Sequence, residues 1–273
     1  MSNSPCKQVS PRDVYFFDLQ GFLILRQALS KLELRELHTC LDAIPPLQAG
    51  ERHGDVHAHD YQDGGQSGLN LQQIYEAGEP FEKLIDHPAW FEHMKLFVGG
   101  EGTFDHHHGP LFIDENFVSL RKPGEAIGMH SGGFPSTHRS QYRFHGDRFL
   151  CGQVNALIAF TNIGPGDGGT TLIPGSHKSN FEHPDLKRVG MRREGFGELI
   201  EGALELEMEA GDALVFVDSL CHGSARRLNP GIRKIAVYRY GPSWGNFRHG
   251  FRPSQELLQR LTPQRRSIVS PAL

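Results

Sequence analysis

The sequence predicts an all-β core with helical decorations, which is an α+β arrangement, and repeated strand pairs are the main reason. The apolar stretch 154–160 and the β-branched stretch 170–173 flank a glycine-rich turn. A second unit of the same kind spans 204–217 and turns at Gly211. Because such short turns leave no room for crossover helices, we expect an antiparallel barrel or sandwich with its chemistry at the mouth.

The segment before these strands is predicted to be mainly helical, over about 28–98. A short strand comes first at 22–25, and a helix then begins at Ser30, where Ser30 and Glu33 have the spacing of a capping box. The polar, glycine-rich stretch 47–68 favours a long loop. Helices early in the chain and strands later are typical of a decorated β core.

The remaining core strands follow from their apolar content and their turns. We predict a long strand over 111–121, a Lys-Pro-Gly turn, a strand over 126–130, and a last strand over 233–240. Period-two geometry places Arg233, Ile235, Val237 and Arg239 on one face of the last strand. A short C-terminal helix is predicted over about 253–261.

Length and composition favour one domain over residues 1–273, with its core at about 111–241, and no linker interrupts it. A net charge of −4 gives no reason to expect nucleic acid as a partner. No apolar run approaches the roughly 18 residues that a membrane span needs, and the start of the chain lacks a secretory pattern. The four scattered cysteines indicate reduced thiols, so we expect a cytoplasmic protein.

Two histidines at predicted strand ends are the main candidates for chemistry. His222 follows the second strand unit, and His130 ends the strand after the Lys-Pro-Gly turn. Two such histidines that converge with a carboxylate form a facial triad, which leaves positions on Fe(II) open for a chelating acid and for oxygen. Arg233 lies eleven residues beyond His222 and has the planar fork that binds a carboxylate. On position alone, surface roles for all three residues remain open.

Several motifs together resemble the phytanoyl-CoA dioxygenase family of iron(II)- and 2-oxoglutarate-dependent oxygenases. The resemblance covers about residues 16–240, and no single motif is specific alone. The matching segments are FFDLQGFLIL, RKPGEAIGMHSG, GDGGTTLIPGSHK, GDALVF, and CHGS followed by Arg233. The resemblance implies a double-stranded β-helix, which is a cupin-like jelly roll. It also implies an enzyme that uses Fe(II), 2-oxoglutarate and O2 to oxidise a small-molecule substrate.

The family pattern also implies roles for individual residues. His130 and His222 match the metal histidines, and Arg233 matches the arginine that binds the far carboxylate of 2-oxoglutarate. Ser224 matches a hydroxyl that often assists this arginine. Asn116 lies in the region where the family has an amide that contacts the cosubstrate. The catalytic residues expected from the resemblance are therefore His130, His222 and Arg233.

The sequence departs from the family at one metal position, where the His-x-Asp motif reads His130-Ser131-Gly132. Three interpretations follow. Another carboxylate completes the site, with Asp147 as the first choice and His145-x-Asp147 as a possible displaced motif. Alternatively the position stays open, as in family members that halogenate with a halide on iron. In the third, the fold binds a ligand without redox chemistry.

Other polar residues near these motifs are secondary candidates. Asp114 and Glu115 lie on a predicted core strand, where one should face inward and could replace the missing carboxylate. The long polar loop 131–151, with Tyr142 and Arg143, is a candidate lid and substrate selector because it follows His130 directly.

Overall fold

Two antiparallel sheets form the core of the protein. The structure is a computed structural model, and it describes residues 9–60, 68–99, 111–132, 140–189, 200–243 and 252–270, without the side chains of 187–189. In these residues an eight-stranded sheet has the order β1-β12-β9-β14-β5-β4-β3-β2 and a four-stranded sheet has the order β11-β10-β13-β6. Strands β7 and β8 form a separate hairpin.

The strand bounds follow the predicted core closely. The strands are β1 (Phe22–Leu25), β2 (Arg52–His53), β3 (Val56–Asp60), β4 (Leu69–Gln72), β5 (Phe112–Arg121), β6 (Ile127–His130), β7 (Phe144–His145), β8 (Arg148–Phe149), β9 (Val154–Ala159), β10 (Thr170–Leu172), β11 (Leu204–Glu205), β12 (Ala213–Val217), β13 (His222–Ser224) and β14 (Arg233–Gly241). The jelly-roll core expected from the family resemblance is confirmed by this arrangement of large antiparallel sheets.

The helices lie mainly before the core and after it. They are α1 (Pro11–Gln20), α2 (Lys31–Asp42), α3 (Glu79–Glu82), α4 (Phe91–Val98), α5 (Pro184–Val189), α6 (Gln255–Arg260) and α7 (Pro263–Val269), with 3-10 turns at Ile74–Ala77 and Ser176–Lys178. The predicted capping box of α2 is present, since Glu33 N donates to Ser30 Oγ at 3.3 Å and Ser30 N donates to Glu33 Oε2 at 2.8 Å. Ser254 caps α6 in a similar way, because Leu257 N donates to its Oγ at 3.0 Å.

Two predicted stretches differ from the structure. Residues 52–60 and 69–72, expected as loop and helix, form β2, β3 and β4 and extend the large sheet past β5. Strands β2 and β3 lie at the edge of the sheet, where exposed faces need no apolar pattern. Strand β4 was missed for another reason, because it is short and buries the polar side chains of Asn70 and Gln72. After the predicted C-terminal helix, a second helix over Pro263–Val269 buries Ile268 and Val269.

The two faces of the large sheet have different neighbours. On one face of β14, Tyr238 Oη donates to Phe81 O at 2.7 Å and Tyr240 Oη donates to Leu84 O at 3.0 Å, which ties the sheet to the helical layer. On the other face, Arg233 Nη1 donates to Gly168 O, next to the small sheet. The Phe216 and His222 rings lie 4.8 Å apart and also join the two sheets. The chemistry-bearing side chains therefore lie between the sheets.

Two further findings concern the described residues. None of the helices found there is long and apolar enough to cross a membrane. Cys40, Cys151 and Cys221 are free thiols, and Cys6 lies outside the described residues.

Candidate functional site

The two candidate histidines lie side by side in the small sheet. His222 of β13 and His130 of β6 are direct partners in the antiparallel register, and their ring centroids are 4.2 Å apart. Cross-strand partners in an antiparallel pair project to the same face. The fold thus brings together two imidazoles that are 92 positions apart in the sequence.

Backbone carbonyls orient both rings. His222 Nδ1 is 2.6 Å from Leu220 O, and His130 Nδ1 is 2.9 Å from Gly128 O. A carbonyl oxygen can only accept, so the acceptor assigns the ring proton to Nδ1 in each case. In this tautomer Nε2 carries the lone pair that a metal ion requires.

The electrostatic setting also favours a neutral imidazole at His222. His222 is 6% exposed, and its burial together with the nearby His130 ring lowers the pKa of His222 well below its usual value. The Asp218 carboxylate acts in the opposite direction and favours positive charge on the ring. A neutral histidine is the form that binds metal, so this donor pair fits a divalent transition metal.

Gly132 occupies the place where the family motif has aspartate, and the backbone there is tightly constrained. Ser131 and Gly132 have φ angles of +61° and +73°, and Gly132 N donates to Ser219 O at 3.0 Å. A Cβ on Gly132 would lie 2.6 Å from Cys221 Cβ and 3.2 Å from Cys221 Cα. Since Cys221 directly precedes His222, a larger residue at position 132 would displace the strand that carries His222.

The structure does not bring Asp147 to the histidine pair. Asp147 lies at the exposed turn between β7 and β8 with φ of +62°, and His145 is exposed on the same hairpin. Among the described residues, no group of three histidine, cysteine or acidic side chains is close enough to hold a metal ion. The mixed set of His130, Asp147 and His222 is therefore not assembled in this structure, and Asp147 as a ligand stays a prediction without structural support.

Arg233 lies buried on the inner face of β14. It is 3% exposed, and Nη1 donates to the carbonyl of Gly168, while Nε has no hydrogen-bond partner among the described residues. Burial and the guanidinium groups of Arg121 and Arg227 lower the pKa of Arg233 to about 9. Arg121 is the direct partner of Arg233 in the β5–β14 register. The Glu205 and Asp167 carboxylates act on this pKa in the opposite direction. A buried cation with an unused Nε donor and two guanidinium neighbours is a suitable site for an anionic ligand.

Ser224 lies near this arginine end of the site, and Asn116 does not. Ser224 is 3% exposed on β13, and its Oγ accepts from Ile127 N at 2.9 Å, so its proton remains available to a ligand. Asn116 pairs with Tyr238 on the face toward the helices, and its Oδ1 accepts from Tyr75 N at 3.0 Å. The expectation that Asn116 contacts the cosubstrate is therefore not met, because strand alternation turns it away from Arg233.

Sequence reasoning missed a buried ion cluster close to the histidines. Arg239 Nε lies 2.9 Å from Glu115 Oε2, and Arg239 Nη1 lies 3.2 Å from Asp218 Oδ1. The prediction that Arg233 and Arg239 share one face of the last strand could have placed Arg239 near the site. Nothing local marked Asp218, which lies in the connection between β12 and β13. Glu115 does face inward, as expected for one of the two acidic residues of β5, but it pairs with Arg239.

The candidate lid is described only in part, since 133–139 lies outside the described residues. Its described end is anchored at Tyr142, whose hydroxyl donates to Asp18 Oδ1 and whose ring lies 4.5 Å from that of His177. Lys178 Nζ also pairs with Asp18, at 2.8 Å. This contact fixes residue 142 against α1 and the 3-10 turn that contains His177.

Comparison with known proteins identifies relatives along most of the chain. The family model for phytanoyl-CoA dioxygenase (PhyH) matches residues 17–235. The dioxygenase cdmD of Talaromyces verruculosus is 27% identical over 224 residues, which cover 80% of this chain and 67% of that protein. The peroxisomal phytanoyl-CoA dioxygenase of Mus musculus is 22% identical over 241 residues, with 84% and 67% covered.

A solved structure supports the fold. HygX from Streptomyces hygroscopicus, solved with nickel and 2-oxoglutarate, superposes with a TM-score of 0.69 at 19% identity and covers 92% of this chain and 94% of its own. HygX has also been solved with nickel, 2-oxoglutarate and hygromycin B bound. The family match spans well over half of the sequence, from before β1 into β14. The chain therefore belongs to the phytanoyl-CoA dioxygenase family of non-haem iron(II)- and 2-oxoglutarate-dependent dioxygenases.

Proposed function

We propose that this enzyme hydroxylates a small-molecule substrate at a site formed by His130, His222 and Arg233. The observation that carries the proposal is the pairing of the two imidazoles, 4.2 Å apart, on the sheet that Arg233 contacts through Gly168 O. A small-molecule substrate is supported by HygX, which was solved with hygromycin B bound.

The residues act at two ends of the site, the histidines at the metal end and Arg233 at the cosubstrate end. Nε2 of His130 and Nε2 of His222 hold the iron, and their Nδ1 contacts with backbone carbonyls keep both rings in the metal-binding orientation. Iron, when bound, supplies the oxygen chemistry that couples decarboxylation of 2-oxoglutarate to substrate oxidation. Arg233, on β14 of the large sheet, pairs with the far carboxylate of 2-oxoglutarate. The Ser224 hydroxyl lies on β13 of the small sheet.

The protein surroundings limit access of water to this site. Phe117, Leu157 and Val237 lie at equivalent positions on adjacent strands of the inner face and are between 6% and 8% exposed. An apolar wall between the charged ends disfavours water and strengthens the electrostatic contacts of bound 2-oxoglutarate.

Halogenation is a second candidate, and the Gly132 backbone is the observation that favours it. A glycine at this position supplies no ligand, and the approach to Cys221 excludes a larger residue without rearrangement. The position on iron that a carboxylate fills in the family motif would then be available to a halide ion. Product analysis by mass spectrometry in the presence of chloride or bromide separates the two reactions, because only halogenation incorporates the halide.

A turnover assay tests the oxygenase proposal without knowledge of the substrate. The purified protein is supplied with Fe(II), 2-oxoglutarate and air, and succinate is measured as the product of uncoupled decarboxylation. We expect slow succinate formation in the wild type and none above background in His222→Ala and Arg233→Met. Folded wild-type protein that binds iron and 2-oxoglutarate but forms no succinate with a panel of candidate substrates would favour the binding-protein interpretation.

A further inference from the structure

Three buried charged side chains meet beside the histidine pair. Arg239 of β14 contacts Glu115 of β5 at 2.9 Å and Asp218, after β12, at 3.2 Å. Both acidic side chains are 1% exposed, and the arginine side chain is 14% exposed. This ion cluster contains two carboxylates and one guanidinium, so the formal charge of the three side chains is −1.

Asp218 belongs to the same short segment as the metal-binding histidine. Asp218 N donates to Gln153 O at 2.9 Å, and Leu220 N donates to Val217 O at 3.0 Å. The carbonyl of Leu220 in turn holds His222 Nδ1 at 2.6 Å. The orientation of the ring therefore depends on the turn over residues 217–220, which contains Asp218.

The charge of the site gives Asp218 a second role. Two neutral imidazoles contribute no negative charge toward a divalent cation, and Gly132 contributes none where the family motif has a carboxylate. Of the two carboxylates in the cluster, Asp218 is among the main groups acting on the His222 ring and favours positive charge there, whereas the Arg239 guanidinium acts in the opposite direction. A buried carboxylate near a divalent cation favours its binding by Coulomb attraction, which is strong where water is excluded.

We propose that Asp218 is a positioning residue for the metal: its carboxylate, held by Arg239, supplies nearby the negative charge that position 132 lacks, and its backbone orients His222. The inference rests on the proposed function, since it requires the histidine pair to bind a divalent cation. Arg239 Nη1 lies 3.2 Å from Asp218 Oδ1 and holds this carboxylate in place, which a flexible lysine would do less well.

Metal affinity measured without turnover tests this role. Binding of Fe(II) under anaerobic conditions, and of Co(II) as a spectroscopic probe, is compared in wild type, Asp218→Asn and Glu115→Gln. We expect Asp218→Asn to bind metal roughly 10- to 100-fold more weakly, because a buried charge near the cation is lost. Glu115→Gln is the matched control, since it removes an equally buried carboxylate from the same guanidinium and leaves one ion pair intact. It should change the affinity by no more than about threefold, because its charge is not among the main ones at the ring.

A charge-keeping variant separates the charge from the shape of the side chain. Asp218→Glu should bind metal more tightly than Asp218→Asn, although asparagine is closer in size to the native residue. Thermal unfolding of the metal-free variants checks that each is folded. If Asp218→Asn does not fold, Asp218→Ser carries the same expectation.

The outcomes distinguish a failure of the role of Asp218 from a failure of the proposed function. Equal loss of affinity in Asp218→Asn and Glu115→Gln, or no loss in either, would overturn the role of Asp218. Absence of metal binding by the folded wild-type protein would instead overturn the proposed function, before any variant is compared.

Discussion

Arg233 and Arg239 lie on the same face of the same strand, yet their surroundings are opposite. Arg239 is enclosed by Glu115 and Asp218, whereas Arg233 faces the carbonyl of Gly168 and lies near two further guanidinium groups. A buried arginine that is already paired serves the architecture of a site. One that has an unused donor and two guanidinium neighbours is poised to take an anion from outside the chain. The contrast supports the proposal that 2-oxoglutarate binds at the Arg233 end.

The strongest test of this contrast is removal of the paired arginine. Arg239→Met leaves two buried carboxylates without their shared partner, so we expect the free energy of unfolding to fall by about 3–5 kcal/mol. Urea denaturation at pH 7.5 measures the change. Arg265→Met is the control, because Arg265 pairs with Asp86 at 2.6 Å far from the sheet interior and is partly exposed. A loss no greater than that of the control would show that the ion cluster is not a structural element.

Replacement of Arg233 should have the opposite effect, which is weaker binding of 2-oxoglutarate without a loss of stability. Arg233→Met loses the charged hydrogen bonds to 2-oxoglutarate, worth about 1.5–3 kcal/mol, which is roughly a 10- to 100-fold loss in affinity. Stability in the absence of ligand should stay the same or rise, since a poorly compensated buried cation is gone. Calorimetric titration of the metal-loaded protein gives the affinity. Arg233→Lys should show an intermediate loss, because it keeps the charge without the fork.

A substitution at Gly132 tests the backbone at the histidine end of the site. Gly132→Ala adds a Cβ 2.6 Å from Cys221 Cβ at a φ of +73°, so we expect about 1–3 kcal/mol of destabilisation. Gly124→Ala is the matched control, with a φ of +91° and no atom within 4 Å of the added Cβ. Thermal unfolding of both variants separates backbone strain, which they share, from the contact with Cys221. Equal shifts would remove the steric argument for an open position.

The pH dependence gives a smaller and graded test. Arg233 binds the anion only in its protonated form, and its pKa is lowered to about 9. Affinity for 2-oxoglutarate should therefore be constant below pH 9 and fall as the pH rises above it, by up to about tenfold per unit. Metal affinity measured at each pH serves as the control. An affinity that is flat through pH 9.5 would contradict a lowered pKa in the metal-loaded protein.

The sequence predicted the strands of the core well, and the two histidines that it singled out lie side by side in the fold, while their role as metal ligands stays a prediction. These features depend on local signals: the alternation in β14, the glycine turns, and motif spacing around His130 and His222. Strands β2 and β3 were missed because polar side chains dominate at a sheet edge, and β4 was missed because it is short and buries Asn70 and Gln72. The partners of Arg239 could not be derived, since Glu115 and Asp218 meet only through cross-strand register, which no local pattern encodes. Asn116 was assigned to the wrong face of β5 for a related reason, since adjacent residues of a strand point to opposite faces of the sheet.

The most direct test of the central claim is an anaerobic titration of metal-free protein with Fe(II) and 2-oxoglutarate. Chelation of iron by the ketoacid produces a visible charge-transfer band, so its appearance reports both ends of the site at once. We expect the band in the wild type, its loss in His222→Ala, and its survival in Asp147→Ala, because Asp147 lies on an exposed hairpin turn. A folded wild-type protein that gives no band would contradict the account, and a band that persists in His222→Ala would place the iron elsewhere.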